Sequence, residues 1–567
     1  MKVRYEPNES PPLPLSFALG LQNTMITIAG TVFGAAIVMR TAGVDESYLP
    51  WAIFSAILVS GLTTIIQSVR MGRIGSGHAL LMGTSGTFLA VSVSAINEGG
   101  LPMLASLVAL SSLFQFLFSA KLSFFRRVIT PSVAGTIIML IAVSVMPILF
   151  NMLDKVPESA PSMAAPLIAA VSLFVTLIII FKGTPTWKLW SPVIGIVVGT
   201  IVASFFGVYE SDRVAEAPWF GLPSFEQWPG FHLEFDSSFW SLLLSFLFVT
   251  IVGAIETIGD AIAIQQVSRR KNKAIDFKSV QGAVGTDGLG NLFSGLLGTI
   301  PNTTYSSSVS VVELTGVASR RVGICTGLIF ISLAFFPKAL AVILAIPGPV
   351  AAAYMAILIT ALFFLGMKMC VQNCRHYHQS LIVGISFWVG AGFENNQIFS
   401  SHLGPWSKAL LENGMTSGGL TAIFLTLLME LVSKRPKRLR TPLETPAISK
   451  VKEFLKGFAK NRNQKDLDKL CLVAEEALMG LLEKGDQKNK RHLLLMARQE
   501  TNEIELEFVA GPGKENLEDQ MSLIGKHPER FGDEREISLK ILKHLTSSIQ
   551  HHQYHGMDII TVSVKFS

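Results

Sequence analysis

Charge is scarce in this sequence. Asp, Glu, Lys and Arg make up 16% of its 567 residues, against roughly 25% in an ordinary soluble domain. The shortage is uneven: residues 12 to about 433 are strongly apolar, and from Ser433 the composition turns charged and globular. The chain therefore divides into a large membrane domain and a small soluble one. Cysteine is scarce as well. Cys325, Cys370, Cys374 and Cys471 make no disulfide framework, and neither CVQNCRHYH (370–378) nor HHQYH (551–555) has a standard zinc spacing. Both read as short polar stretches, so no metal site and no cofactor are expected. A Walker-type Gly-rich loop with Lys is missing, which argues against ATP-driven transport. No basic stretch is interleaved with base-stacking aromatics, so the net charge of +6 implies basic loops at a membrane face and no nucleic acid. The N-terminal MKVRYEPNESPPLPLSF lacks the apolar core and small-residue cleavage site of a signal peptide. None of these features is that of an enzyme.

What the sequence has in quantity is apolar runs of bilayer length, about 20 residues each. They lie near 15–39, 49–69, 79–97, 100–120, 127–152, 163–182, 188–208 and 238–267. Further runs lie near 280–298, 303–318, 321–336, 339–367, 379–395 and 416–433. That makes about fourteen spans, with 280–318 too polar to count by hydropathy alone. Arg70 and Arg73, Lys121 with Arg126 and Arg127, Lys182 and Lys188, SRRKNK, Arg320 and Arg321, and SKRPKRLR all fall on one side. Basic loops mark the cytoplasmic face, so both termini are expected there and the 209–237 loop outside. The expected organisation is a tail (1–14), a membrane domain (15–433), a basic linker (434–444) and a cytoplasmic α/β domain (445–567).

Two segments break the helical pattern. GTSGTFLAVSVS (83–94) and GTIPNTTYSSSVSVVELTGV (298–317) each open with Gly, Thr, Ser or Pro and then turn apolar. They read as extended stretches leading into half-helices. Irregular backbone at membrane depth survives where protein buries it or where it lines a cavity, and a matched pair points to a transporter's central site. IVGAIETIGDAIAIQQV (251–267) adds two carboxylates, Glu256 and Asp260, on one face of one helix. Each costs on the order of 2.5–3.5 kcal/mol at mid-bilayer. Two ionised carboxylates that close repel, so one is expected to carry a proton for part of a transport cycle.

ETIGD (256–260), GTDGLGNLFSGLLGT (285–299) and LTGVASRRVG (314–323) together resemble the nucleobase–ascorbate transporters, the nucleobase:cation symporter-2 family, in its xanthine and urate branch. PSVAGTIIMLIAVSVMP (131–147) and LGLQNTM (19–25) fit as well. The resemblance spans roughly 15–433 and implies an α-helical polytopic fold of fourteen spans. These form two inverted seven-span repeats, a core and a gate domain, with short strands in spans 3 and 10 and a homodimeric assembly. It implies a secondary-active symporter that imports a purine base with H+ or Na+ across a bacterial-type inner membrane. By position it assigns Glu256 to the base's N–H groups, Ser85 and Gly86 to a backbone contact, and Asn23 to the substrate site. Asp260 and Asp287 are assigned to site support or proton coupling. One departure stands out: the family's Gln-Asn and following Gly are here Ser307, Ser308 and Ser310. Ser306, Ser307 and Ser308 then offer only hydroxyls, which reach less far than a glutamine amide, or serve as helix caps. Transport of another small organic or inorganic anion, and base sensing with signalling through the C-terminal domain, remain alternatives.

Residues 445–567 read helix, helix, strand, strand, loop, helix, strand. LDKLCLVAEEALMGLLEKG, VAGPG and ISLKILKHL are similar to the histidine-kinase-like ATPase fold of anti-sigma factors. That resemblance implies an Asn for magnesium and an Asp for adenine, where this chain has Gly480 and Val509. A degenerate, regulatory or dimer-stabilising module is expected.

Overall fold

The computed structural model describes residues 3–122, 130–157, 160–271, 273–373, 377–394, 414–432, 436–459, 462–482, 492–499, 503–511, 542–555 and 557–565, with 398, 411 and 540. Cys374, linker residues Lys434 and Arg435, and Gly513 of the Gly-x-Gly stretch lie outside the described residues.

The chain forms two compact units. One comprises Met1–Ser268 and Ser279–Thr426; the other comprises Arg269–Lys278 and Leu427–Ser567. In the first unit the helices are α1 (Leu13–Thr41), α2 (Leu49–Val69), α3 (Leu89–Ala120), α4 (Pro131–Leu153), α5 (Ala164–Lys182), α6 (Pro185–Phe205) and the short α7 (Ser211–Glu216). They continue as α8 (Ser237–Val267), α9 (Phe277–Leu297), α10 (Ser307–Thr315), α11 (Arg320–Ala334), α12 (Pro337–Leu344), α13 (Gly348–Asn373), α14 (Tyr377–Glu394) and α15 (Gly414–Val432). Among the described residues, eight helices are long and apolar enough to cross a membrane, or nine if the pair α11 and α12, bent by 88°, is one span.

Two expected spans are divided differently in the structure. The run 339–367 breaks because Pro347 removes a backbone donor and stops the first helix; α12 ends at Leu344 and α13 begins at Gly348. The runs 79–97 and 100–120 merge into α3, whose helical geometry is lost only at Gly99 and Gly100. The start of the first run is not helical at all: Met82–Thr84 is strand β1.

Helix α2 packs on α11, α1 on α11, and α3 on α8, while α4 packs on α13 and α5 on α6. Small residues permit the closest approach, as is usual between helices in lipid. A Cβ added at Gly135 on α4 would lie 2.6 Å from the Gly366 carbonyl on α13, and the reverse distance is the same. At the centre, β1 pairs antiparallel with β2 (Asn302–Thr304) in the register Met82↔Thr304, Gly83↔Thr303, Thr84↔Asn302. All six residues are buried.

The second unit is a five-stranded antiparallel sheet in the order β3-β4-β5-β7-β6, from β3 (Lys437–Pro442), β4 (His492–Gln499), β5 (Glu503–Ala510), β6 (Ser548–Gln553) and β7 (Asp558–Lys565). Residues alternate along β5, with Ile504, Leu506 and Phe508 inward. They meet Leu470, Val473, Ala477 and Leu478 of α17 (Gln464–Leu481), and Val451 and Leu455 of α16 (Ala447–Phe458) join the same core. Segment 269–278 folds with this unit: the Phe277 ring lies 4.3 Å from the His552 ring and 5.3 Å from that of Tyr554.

The strand crossing leaves no room at Gly83. An added Cβ there would lie 2.4 Å from the Tyr305 ring, whose hydroxyl is held by a 3.0 Å bond to the Thr84 carbonyl. Gly83→Ala is therefore expected to destabilise the protein by about 1–3 kcal/mol, as overpacking does. Gly86→Ala, where a Cβ meets nothing within 4 Å, should leave the melting temperature unchanged. Thermal unfolding of the two variants in detergent checks the contrast, and equal melting temperatures would refute it.

Candidate functional site

The site is built around the β1–β2 crossing, where extended backbone must find partners in a medium without water. Side chains and loop carbonyls supply them. The Leu81 N–H donates to Ser308 Oγ at 2.9 Å and the Met82 N–H to Thr64 Oγ1 at 3.0 Å. The Ser85 N–H donates to the Pro301 carbonyl at 2.8 Å, and the Asn302 N–H to Asn291 Oδ1 at 2.7 Å. β1 runs through a single 3-10 turn, Gly86–Phe88, into α3, and β2 runs through Tyr305 and Ser306 into α10. Each helix start leaves a positive dipole end near the crossing, although at α10 the Ser308 and Val309 N–H groups already donate to the Tyr305 and Ser306 carbonyls.

Three carboxylates surround this crossing, and their partners differ. Asp260 is buried and saturated: Thr304 Oγ1 donates to Oδ2 at 2.8 Å and Ser306 Oγ to Oδ1 at 2.6 Å. Asp287, on α9, is buried and half satisfied. Its Oδ2 accepts from Thr257 Oγ1 and from Gln115 Nε2, the latter at 3.5 Å, while its Oδ1 has no partner among the described residues. Glu256 is half-buried and has no hydrogen bond from any described residue. Hydrogen bonds to an ionised carboxylate are roughly twice as strong as neutral ones. Asp260 is thus built into the protein, whereas Glu256 stands ready for something else.

The other expected residues fall into two groups. Ser85 Oγ lies 2.7 Å from Thr87 Oγ1, and beside it Gly86 borders open space. Gly259, between Glu256 and Asp260, likewise has nothing within 4 Å of an added Cβ. Ser306 is exposed but tied to Asp260, and the Ser307 hydroxyl is buried without a partner among the described residues. These belong together. Ser308 does not: its hydroxyl donates to the Tyr305 carbonyl at 2.5 Å while accepting from Leu81. It caps backbone and offers nothing to a ligand, because both its useful directions are taken. Asn23 is also held elsewhere, donating to Thr326 Oγ1 on α11 at 3.4 Å.

Several participants escape a reading by sequence. Gln115 joins Asp287 to Asn291, whose Nδ2 donates to Gln115 Oε1 at 2.7 Å. Asn302 continues the chain, its Nδ2 donating to Ser60 Oγ at 2.9 Å. A lone Gln inside the apolar LFQFLFS is the one available signal for this network. Tyr305, against Gly83, carries no signal beyond its place in a polar stretch.

With this geometry in place, comparison with known proteins is decisive. A family model described as Permease family, short name Xan_ur_permease, matches residues 15–397. The chain belongs to that family, the nucleobase:cation symporter-2 permeases. It is similar to the xanthine permease XanP of Escherichia coli, 28% identical over 440 residues, covering 75% of this chain and 94% of that one. It is also similar to the nucleobase transporter PlUacP of Paenibacillus larvae, 27% identical over 423 residues, with 74% and 95% covered. Among solved structures, the transmembrane domain of a cyanobacterial bicarbonate transporter, BicA, aligns with a TM-score of 0.45 at 15% identity, covering 74% of this chain and 99% of that one. Permeases move solutes, so this chain is a multi-pass membrane transporter and not an enzyme.

The two serines can be separated experimentally. Ser307→Gln places an amide where a hydroxyl has no partner, and should change substrate affinity with little effect on stability. Ser308→Asn removes the bond that satisfies the Leu81 N–H and should cost about 1–3 kcal/mol. Ligand binding and thermal unfolding of each variant test this; a stable Ser308→Asn protein with altered selectivity would overturn the assignment.

Proposed function

We propose that the protein imports a purine base of the xanthine or urate type by secondary-active transport, coupled to H+ or Na+. The observation that carries this is Glu256, a carboxylate without a hydrogen-bond partner among the described residues, with open space at Gly86 and Gly259. An ionised carboxylate only accepts hydrogen bonds, so it suits a flat heterocycle presenting adjacent N–H groups. The positive dipole ends at the starts of α3 and α10 favour ring carbonyls or an anionic ring. The names of the E. coli and P. larvae relatives favour a nucleobase over an inorganic anion, and a fixed carboxylate repels inorganic anions. Asp260 and Asp287 form the coupling pair, since both are buried beside the ligand position without a basic partner. The paired strands, each leading into a helix, support two inverted seven-span repeats in a homodimer of the inner membrane with both termini cytoplasmic. The second unit serves as a degenerate ATPase-like module, with Gly480 and Val509 where metal and adenine would be read.

Uptake of labelled xanthine, urate, uracil, ascorbate and sulfate by cells expressing the protein tests the substrate class. Accumulation of xanthine or urate is expected, and uptake of sulfate alone would refute the purine reading. Glu256→Gln should reduce base binding at least a hundredfold, because the amide offers one acceptor oxygen where two are needed. Asp260→Asn should retain binding but lose uphill accumulation and flatten its pH dependence. Uphill accumulation by Asp260→Asn with an unaltered pH profile would remove Asp260 from the coupling.

A further inference from the structure

In the second unit, positive charge is concentrated in two stretches. Segment 269–278 holds Arg269, Arg270, Lys271, Lys273 and Lys278 against Asp276 alone, and 436–440 holds Lys437, Arg438 and Arg440 with no acid. From residue 441 onward, Lys and Arg are matched by Asp and Glu. Each basic stretch follows directly on an apolar helix, α8 ending at Val267 and α15 at Val432. Chain connectivity therefore keeps both near the headgroup region, within roughly 3.3–3.6 Å per residue of a helix end.

The charges are also available. Lys271, Lys273, Lys437, Arg438 and Arg440 are exposed, and none of them has an acidic partner among the described residues. The one acid of the first stretch is turned to the backbone, Asp276 Oδ1 accepting from the Lys278 N–H at 3.0 Å. β3, which carries the second stretch, is one edge of the sheet. The first stretch ends at Phe277, which packs on His552 of the opposite edge strand, β6. Five strands at about 4.8 Å spacing put these edges roughly 19 Å apart, wide enough for several headgroups.

We propose that these two stretches bind anionic lipid headgroups of the cytoplasmic leaflet. Each Lys or Arg near such a surface is attracted to it, and the attraction fades within a Debye length of about 8–10 Å. Guanidinium forks at Arg438 and Arg440 match phosphate oxygens in pairs. Topology alone asks only that basic residues lie on this side, and edge protection asks only that β3 resist pairing with another strand. Neither requires selectivity for a lipid.

Native mass spectrometry of the full-length protein, equilibrated with equal amounts of phosphatidylglycerol and phosphatidylcholine, tests the proposal. The wild type should retain phosphatidylglycerol at least five-fold over phosphatidylcholine. Lys437→Gln/Arg438→Gln/Arg440→Gln and Lys271→Gln/Lys273→Gln should each cut that preference at least two-fold, and their combination should bring it near one. Lys450→Gln/Lys452→Gln/Lys456→Gln, on α16, should leave it unchanged. Using both partial variants keeps the test informative if the combined variant misfolds. An unchanged preference in both partial variants, or an equal drop in the α16 variant, overturns the proposal.

Discussion

Everything at the centre of this transporter follows from one requirement: backbone in an extended conformation, surrounded by apolar helices, must have its polar groups met. A strand pair three residues long satisfies only part of itself through β1–β2 bonding. The remaining donors go to Thr64, Asn291, Ser308 and the Pro301 carbonyl, which accounts for polar residues on α2, α9 and α10 without reference to any ligand. An unmade bond here would cost several kcal/mol, more than a membrane protein gains from most single contacts. The crossing is therefore rigid, and it fixes where the two helix starts point.

On that frame the three acids separate by how fully the protein satisfies them. Asp260 receives two short hydroxyl bonds from the very strand and turn that form the crossing, so its position is part of the fold. Asp287 is tied by Thr257 to the helix that carries Glu256 and by Gln115 to α3. Its remaining oxygen has no partner among the described residues. Thr257 also lies within 3.2 Å of Thr304 Oγ1. Two hydroxyls in line, Thr257 and Thr304, thus stand between the two buried acids, and each has a single proton that can serve only one acceptor at a time. A change in protonation at either acid therefore acts on the Thr257 and Thr304 hydroxyls.

Much of this is legible in the sequence, for physical reasons that also mark the limits. Glu256 and Asp260 are legible because carboxylates in an apolar helix are costly and their spacing fixes a common face. The strand segments are legible because Gly, Thr and Pro cluster where an unbroken membrane helix would carry apolar residues. Span division fails at 339–367 because hydropathy sees residue type and not the missing donor at Pro347. Ser308 is ambiguous in sequence for a different reason. A serine that satisfies a strand and a serine that faces a ligand have the same composition, and only the Leu81 N–H decides between them. Gln115 and Tyr305 act through partners distant in the chain, so no local pattern contains them.

The same distinction narrows the departure from the family at 307–310. Read along the sequence, two residues that would meet the base are replaced by serine. In the structure only Ser307 keeps that opportunity, since Ser308 is spent on backbone. The hydroxyl of Ser306 is likewise spent, on Asp260 rather than on capping α10, whose Ser308 and Val309 N–H groups turn back to the Tyr305 and Ser306 carbonyls. The three serines thus differ: one orders an acid, one is buried without a partner among the described residues, and one closes the crossing. Amide reach absent at position 307 therefore has no replacement in the neighbouring hydroxyls, since those of Ser306 and Ser308 are both committed to the protein.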